Sequence, residues 1–176
     1  IRGIPRVMSW VGPAVIGKGK RCVPSVTGVS ICADVSHYFD CMMVYGRFAS
    51  DLLALLRGVL RPGDSVLDIG AQLGYVSSNM AAIVGPTGRV HSFEPDPTAL
   101  ERLRQTIDAN DQHWVEVFPV ALGDRDGELE FHISPTLGWS TAVKGTHLGG
   151  LRTVVVACRR LDDLLSEGRI RTPLRL

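Results

Sequence analysis

Ser65-Val66-Leu67-Asp68-Ile69-Gly70-Ala71-Gln72-Leu73-Gly74-Tyr75 decides the fold: a short apolar run ends in an acid and is followed by two glycines. Val66, Leu67 and Ile69 come after the turn cluster Pro62-Gly63-Asp64, which marks a short buried strand. From Tyr75 the period changes. Val76, Met80, Ile83 and Val84 fall at i, i+4, i+7 and i+8, one face of a helix, and Gly85-Pro86-Thr87-Gly88 stops it. The glycines therefore lie where a strand hands over to a helix N-terminus. Missing Cβ atoms there let a ligand approach the backbone, and free N–H groups face it. The pattern predicts a nucleotide-type site.

Downstream, Arg89-Val90-His91-Ser92-Phe93 reads as a second strand ending in Glu94-Pro95-Asp96-Pro97. Glu94 follows Gly74 by 20 residues. That is where α/β folds place a carboxylate that accepts hydrogen bonds from two ribose hydroxyls. Asp96 can cap a helix with Pro97 at its first position, and Leu100, Leu103 and Ile107 form that helix's buried stripe. Trp114 to Val120 reads as a third strand, half buried or at an edge, where Pro119 is tolerated, and it leads into Ala121-Leu122-Gly123-Asp124. Strand, helix, strand, helix, strand with short links predicts a parallel sheet with right-handed crossovers. All three strand tips then reach one edge, the edge where such sheets bind ligands.

Beyond Asp124 the pattern turns antiparallel: Glu128 to Ile133 alternates, and Arg152 to Cys158 is a second β run. The Gly-, Ser- and Thr-rich loop 134–150 between them is long enough to suggest function, with Gly138-Trp139-Ser140-Thr141 able to shape an acceptor pocket. Leu161 to Leu165 makes a short helix, and Thr172 to Leu176 looks like the start of another strand. Upstream, Phe48, Leu52, Leu55, Leu56 and Val59 have helical spacing, so this helix is expected to pack its leucine face on the sheet as a lid or wall of the site. Residues 1–46 form an irregular, β-rich segment, with an edge hairpin expected from Val23 to Ile31. Residues 47–176 are expected to form the domain that holds the parallel sheet.

Nineteen Lys and Arg against eighteen Asp and Glu leave a formal charge of +1, which weighs against nucleic acid as the main partner. No run reaches the roughly 20 apolar residues of a membrane span, and the N-terminus lacks the continuous apolar core of a signal peptide, so the expected location is the cytoplasm. Cys22, Cys32, Cys41 and Cys158 form no C-x-x-C pair and no zinc set, and the expectation is reduced thiols and no metal.

Four blocks together resemble the FkbM family of S-adenosylmethionine-dependent methyltransferases, within the class I, Rossmann-like group: Val66 to Tyr75, Gly88 to Asp96, Ala121 to Gly127 and Arg160 to Leu164. Gln72 stands where many class I sequences have a glycine, and this family usually carries a polar amide there. The resemblance implies S-adenosylmethionine as cofactor. Its methionine part would lie over the turn from Gly70 through Ala71, Gln72 and Gly74 to Tyr75, with Asp68 helping to hold that end. Glu94, next to Pro95, would take the ribose hydroxyls, and the turn from Ala121 to Asp124 would meet the adenine. The implied activity is methyl transfer to a hydroxyl oxygen of a small-molecule acceptor, often a sugar or secondary metabolite.

The catalytic base is not identified; His132, His147, Asp162 and Asp163 have suitable chemistry. In the class I sheet the fourth core strand would begin at about Leu174. The resemblance therefore predicts either a chain truncated before that strand or a homo-oligomer whose partner chain covers the open edge. Two alternative functions stand beside methyl transfer. One is a non-catalytic remnant that binds the cofactor weakly. The other is a NAD-type oxidoreductase, against which the turn lacks G-x-G-x-x-G.

Overall fold

The computed structural model describes residues 19–133 and 152–175, so the predicted pocket-shaping loop 134–150, with Trp139 and His147, lies outside the described residues. An N-terminal hairpin pairs β1 (Arg21–Pro24) with β2 (Ser30–Ala33). Helices α1 (Tyr38–Val44) and α2 (Ser50–Val59) follow. Three parallel strands come next, β3 (Ser65–Ile69), β4 (Arg89–Phe93) and β5 (Val115–Phe118), hydrogen-bonded in the order β3-β4-β5. They are linked by α3 (Tyr75–Val84) and α4 (Pro97–Asp108). A second sheet of order β6-β8-β7 is built from β6 (Ala121–Leu122), β7 (Gly127–Ile133) and β8 (Arg152–Arg159), and α5 (Leu161–Ser166) closes the described elements.

The α/β architecture is the expected one: a Rossmann-like parallel sheet with flanking helices, then an antiparallel pair, β7 with β8. β5 is shorter than the predicted run because Pro119 brings no N–H to continue the ladder. Asp96 caps α4 as expected, accepting from the N–H groups of Thr98 at 2.8 Å and Ala99 at 3.4 Å. The predicted terminal strand is represented by one parallel bridge, Leu174 opposite Ser65, with the Arg175 N–H donating to the Ser65 carbonyl at 2.8 Å.

Three expectations are corrected. The hairpin register sets Cys22 directly opposite Cys32, and the two form a disulfide, while Cys41 and Cys158 are free and buried. Facing positions of an antiparallel pair bring Cβ atoms close enough to bridge, which spacing along the chain does not reveal. On α2 the buried leucines are Leu53 and Leu56, at 2% and 4% exposure, whereas Leu52 and Leu55 are 42% and 60% exposed. With leucines at 52, 53, 55 and 56, two helical stripes fit equally well, and packing selects the one that continues to buried Leu60. Finally, the segment read as irregular and β-rich also contains α1, whose Met43 and Val44 are buried.

One hydrophobic cluster joins the hairpin to the parallel sheet: Val23, Ile31 and Ala33 share it with Leu53, Leu56, Val66, Leu73, Met80 and Leu103. A smaller cluster lies under α5, where Phe93 and Phe118 stack with ring centroids 4.7 Å apart beside Leu164 and Ile170. α1 is tied to α4 by a buried ion pair, Asp40 with Arg102, and the Arg102 Nε–H donates to the Cys32 carbonyl at 3.0 Å.

His91 in β4 is 1% exposed, and its Nε2 accepts from the Arg171 N–H at 3.2 Å, while the half-exposed Glu116 carboxylate lies 3.4 Å from Nδ1. Burial, with the charges of Arg89 and Arg171, lowers its pKa from 6.5 to about 4. A base depressed in the folded state stabilises the fold above its unfolded pKa and loses that contribution as pH falls toward the folded value. Between pH 7.5 and 5.5 the loss from this residue is expected to be about 1.3 kcal/mol. Urea unfolding at the two pH values should show it, and in His91→Phe the pH dependence should shrink by that amount.

Candidate functional site

The three parallel strands deliver Ile69, Phe93 and Phe118 to one edge of the sheet, and a cavity of about 490 Å³ opens there. Its wall includes Gly70, Ala71, Gln72 and Tyr75 from the turn and the first residue of α3. Glu94, Pro95 and Asp96 come from the tip of β4, and Val120, Ala121 and Leu122 from the stretch after β5.

The turn is held from behind. The Phe93 carbonyl accepts from the N–H groups of Gly70 at 2.9 Å and Ala71 at 3.0 Å, so the turn is clipped to β4. Gly70 has φ +85° and a Cβ there would meet nothing within 4 Å, which leaves open space against bare backbone. Gln72 also has positive φ, at 52°, a conformation uncommon outside glycine that turns its N–H onto the Glu94 carboxylate. Gly74 has a different role: its Cβ would come 2.7 Å from Leu103 Cδ1, so its bareness lets α4 approach the turn.

Glu94 is the bracket of the site. Only 5% exposed, it accepts from the Gln72 N–H at 2.7 Å on Oε2 and from the Asp96 N–H at 2.8 Å on Oε1, joining the turn to the N-terminus of α4. Burial raises its pKa; the two N–H groups pull the other way, and the charges of Asp96 and Asp68 add to the rise. Asp68 is not in the cavity wall. It lies one residue before the lining stretch that starts at Ile69, its Oδ2 accepts from the Ser77 hydroxyl at 2.5 Å, and burial raises its pKa against the hydrogen bonds from Ser77.

Of the ten residues expected to meet a cofactor, the wall thus gathers Gly70, Ala71, Gln72, Tyr75, Glu94, Pro95 and Ala121. Asp68 and Gly74 stand behind it, and Asp124 is an exposed residue outside it. The wall also contains residues the sequence did not single out. Met43 comes from α1, and Leu129 and Phe131 are alternate residues of β7; Phe48, by contrast, belongs to the helical run expected to wall the site, and it lines the cavity from just before α2, edge-on to Tyr75 at 5.9 Å between ring centroids, while none of α2's own residues does. The alternation of β7 was a signal that one of its faces is covered, though not by what.

None of the described base candidates reaches the wall. His132 pairs through Nδ1 with the Thr153 hydroxyl at 3.0 Å, and Asp162 and Asp163 face Arg160 at 3.3 and 3.4 Å. Among the described residues no group of three or more His, Cys, Asp or Glu is placed to hold a metal ion, and no helix is long and apolar enough to cross a membrane.

Comparison with known proteins places the chain in a family. The model of the methyltransferase FkbM domain matches residues 68–173, more than half of the chain. A protein-L-isoaspartate O-methyltransferase of Triticum aestivum is 35% identical over 125 residues, 69% of this chain and 50% of that protein. The 2-O-methyltransferase NoeI of Sinorhizobium fredii is 30% identical over 123 residues, 61% of this chain and 49% of that protein. The chain spans about half the length of these curated relatives. Among solved structures, M. jannaschii TYW2 in complex with AdoMet aligns over 65% of this chain and 63% of its own, with a TM-score of 0.46 and 14% identity. By the family model that covers the turn, the Glu94 strand tip and the second sheet, the chain belongs to the FkbM methyltransferases, a family that uses S-adenosylmethionine.

Proposed function

We propose that the chain binds S-adenosylmethionine in the cavity at the C-terminal edge of the parallel sheet and directs its methyl group to an oxygen acceptor, a hydroxyl of a sugar or secondary metabolite. Both relatives described above are by name O-methyltransferases, and one of them is a 2-O-methyltransferase. When bound, the cofactor supplies a methyl group on a sulfonium, displaced directly onto the acceptor oxygen.

The observation that carries this reading is the Glu94 bracket. An ionised carboxylate has about four acceptor sites. The Gln72 and Asp96 N–H groups use one on each oxygen, so each oxygen keeps capacity for one ribose hydroxyl. The open space at Gly70 is a cradle that a Cβ would fill, and the cavity volume of about 490 Å³ is in the range of small-ligand sites, roughly 300–1,000 Å³. In this reading the backbone of Gly70, Ala71 and Gln72, with Tyr75, lies along the methionine end, and Asp68 acts on that end from behind the turn. Pro95, Val120, Ala121 and Leu122 form an apolar slot for the adenine, with Asp124 at its exposed margin. The chain's own contribution is alignment: the strand tips and turn are fixed before the ligand arrives.

Calorimetric titration with S-adenosylhomocysteine tests the reading. Saturable binding is expected, weakened about tenfold or more in Glu94→Ala, the scale of losing charge-assisted hydrogen bonds to a ligand. NAD should give no heat; binding of NAD in place of S-adenosylhomocysteine would move the chain to the oxidoreductase reading. A substrate-turnover assay with added cofactor separates an enzyme from a remnant that only binds.

The raised pKa of Glu94 adds a pH dependence. Only the ionised form keeps all its acceptor sites, so affinity should fall as pH drops toward the raised value, beginning above the ordinary glutamate pKa of 4.5. Glu94→Gln should bind more weakly and without that dependence on pH, and an unchanged profile in this variant would show that another group sets it.

A further inference from the structure

Behind the turn, two buried serines and the half-buried Asp68 form a chain of hydrogen bonds. The Ser92 hydroxyl, from β4, donates to Ser77 Oγ at 2.9 Å, and the Ser77 hydroxyl, from the first turn of α3, donates to Asp68 Oδ2 at 2.5 Å. Both serines are 0% exposed. A serine within a helix commonly returns its proton to the carbonyl one turn back. Ser77 instead commits its proton to a carboxylate on the neighbouring strand and has its own oxygen engaged by Ser92. All donors therefore point the same way, and Asp68 is the acceptor at the end of the series.

The chemistry around Asp68 lacks a positive charge. Its pKa is raised by burial and opposed only by the side chain and backbone N–H of Ser77, and no cationic side chain among the described residues contributes. Its charge is felt by another acid: Glu94, just past the end of the adjacent strand, has its pKa pushed up by the charges of Asp96 and Asp68. A buried carboxylate is costly unless it is paired. Buried Glu94 in the cavity wall and half-buried Asp68 one residue from it, near the ends of adjacent strands, favour a ligand that brings the cation.

We propose that Ser77, backed by Ser92, is a positioning residue for the methionine end of the cofactor: it holds the Asp68 carboxylate as an oriented partner for the ligand's ammonium group. This rests on the cofactor reading above and deepens it, because it divides the labour between the two acids. Glu94 serves the ribose, and Asp68, through Ser77, serves the charged end.

The division can be read by comparing two ligands on the full chain. S-adenosylhomocysteine carries the ammonium group, whereas 5′-methylthioadenosine has the same adenosine and sulfur but no amino-acid end. Ser77→Ala should weaken S-adenosylhomocysteine about tenfold, roughly the contribution of one hydrogen bond to a charged group, and leave methylthioadenosine within about twofold. Ser92→Ala should act in the same direction with a smaller loss, and it tests the proposal even where Ser77→Ala perturbs folding. Glu94→Ala should weaken both ligands alike. Equal losses for the two ligands in the serine variants, or no loss for either, would overturn the positioning role while leaving the cofactor site standing. Failure of the unmodified chain to bind either ligand would overturn the cofactor reading and this inference with it.

Discussion

Arg102→Met is expected to destabilise the fold by about 3–5 kcal/mol, because it leaves the Asp40 carboxylate buried without its counter-charge. The pair is almost fully enclosed, with side-chain exposures of 3% for Arg102 and 1% for Asp40. Asp40 Oδ2 also accepts from the Asp34 N–H at 2.8 Å, and Arg102 holds the Cys32 carbonyl, so one cation organises α1, the loop before it and β2. Denaturant unfolding of three variants separates charge from packing. Arg102→Met alone should show the full loss. Arg102→Met with Asp40→Asn should recover about half of it, since the amide keeps an acceptor for Asp34 and removes the stranded charge. A double variant no more stable than the single one would mean that the loss is one of packing.

The second large effect is expected at Gly74. An alanine there takes up φ +86° and puts its Cβ 2.7 Å from Leu103 Cδ1 and 3.4 Å from Thr106 Cγ2. Leu103 and Thr106 are both fully buried and have little room to retreat. A left-handed residue with a side chain costs about 1–2 kcal/mol, and overpacking a core about 1–3 kcal/mol, so Gly74→Ala should lose about 3 kcal/mol. Leu103→Val in the same chain relieves the contact and leaves the backbone term, and it should restore part of the stability. If Gly74→Ala unfolds at the same denaturant concentration as the parent, α4 does not rest on the turn as described.

How much of this was legible follows from where each signal originates. β3, β4 and β5 could be read because each is a compact apolar run between turn residues, and the cap at Asp96 because an acid before Pro97 has a local mechanism. The position of Glu94 at a strand tip is likewise a matter of spacing. What escaped is whatever depends on a contact between distant segments. The Cys22–Cys32 bond depends on hairpin register, and the choice of Leu53 and Leu56 over Leu52 and Leu55 on where α2 lands. Met43, Leu129 and Phe131 lie far from the turn in sequence and join its cavity only through packing. The hydroxyl series behind Asp68 is of the same kind: Ser77 and Ser92 are unremarkable in sequence, and only the pairing of β3 with β4 under α3 brings them into line.

The bridge between Leu174 and Ser65 has a consequence for where the cavity can form. From β3 the chain winds outward through β4 to β5, always to the same side, and Leu174 then pairs on the opposite side of β3. The winding therefore reverses at β3. Crossovers that leave a strand in opposite directions carry their covering segments apart, so that a crevice opens beyond the strand's C-terminal end. Ile69, the last residue of β3, borders that crevice and lines the cavity.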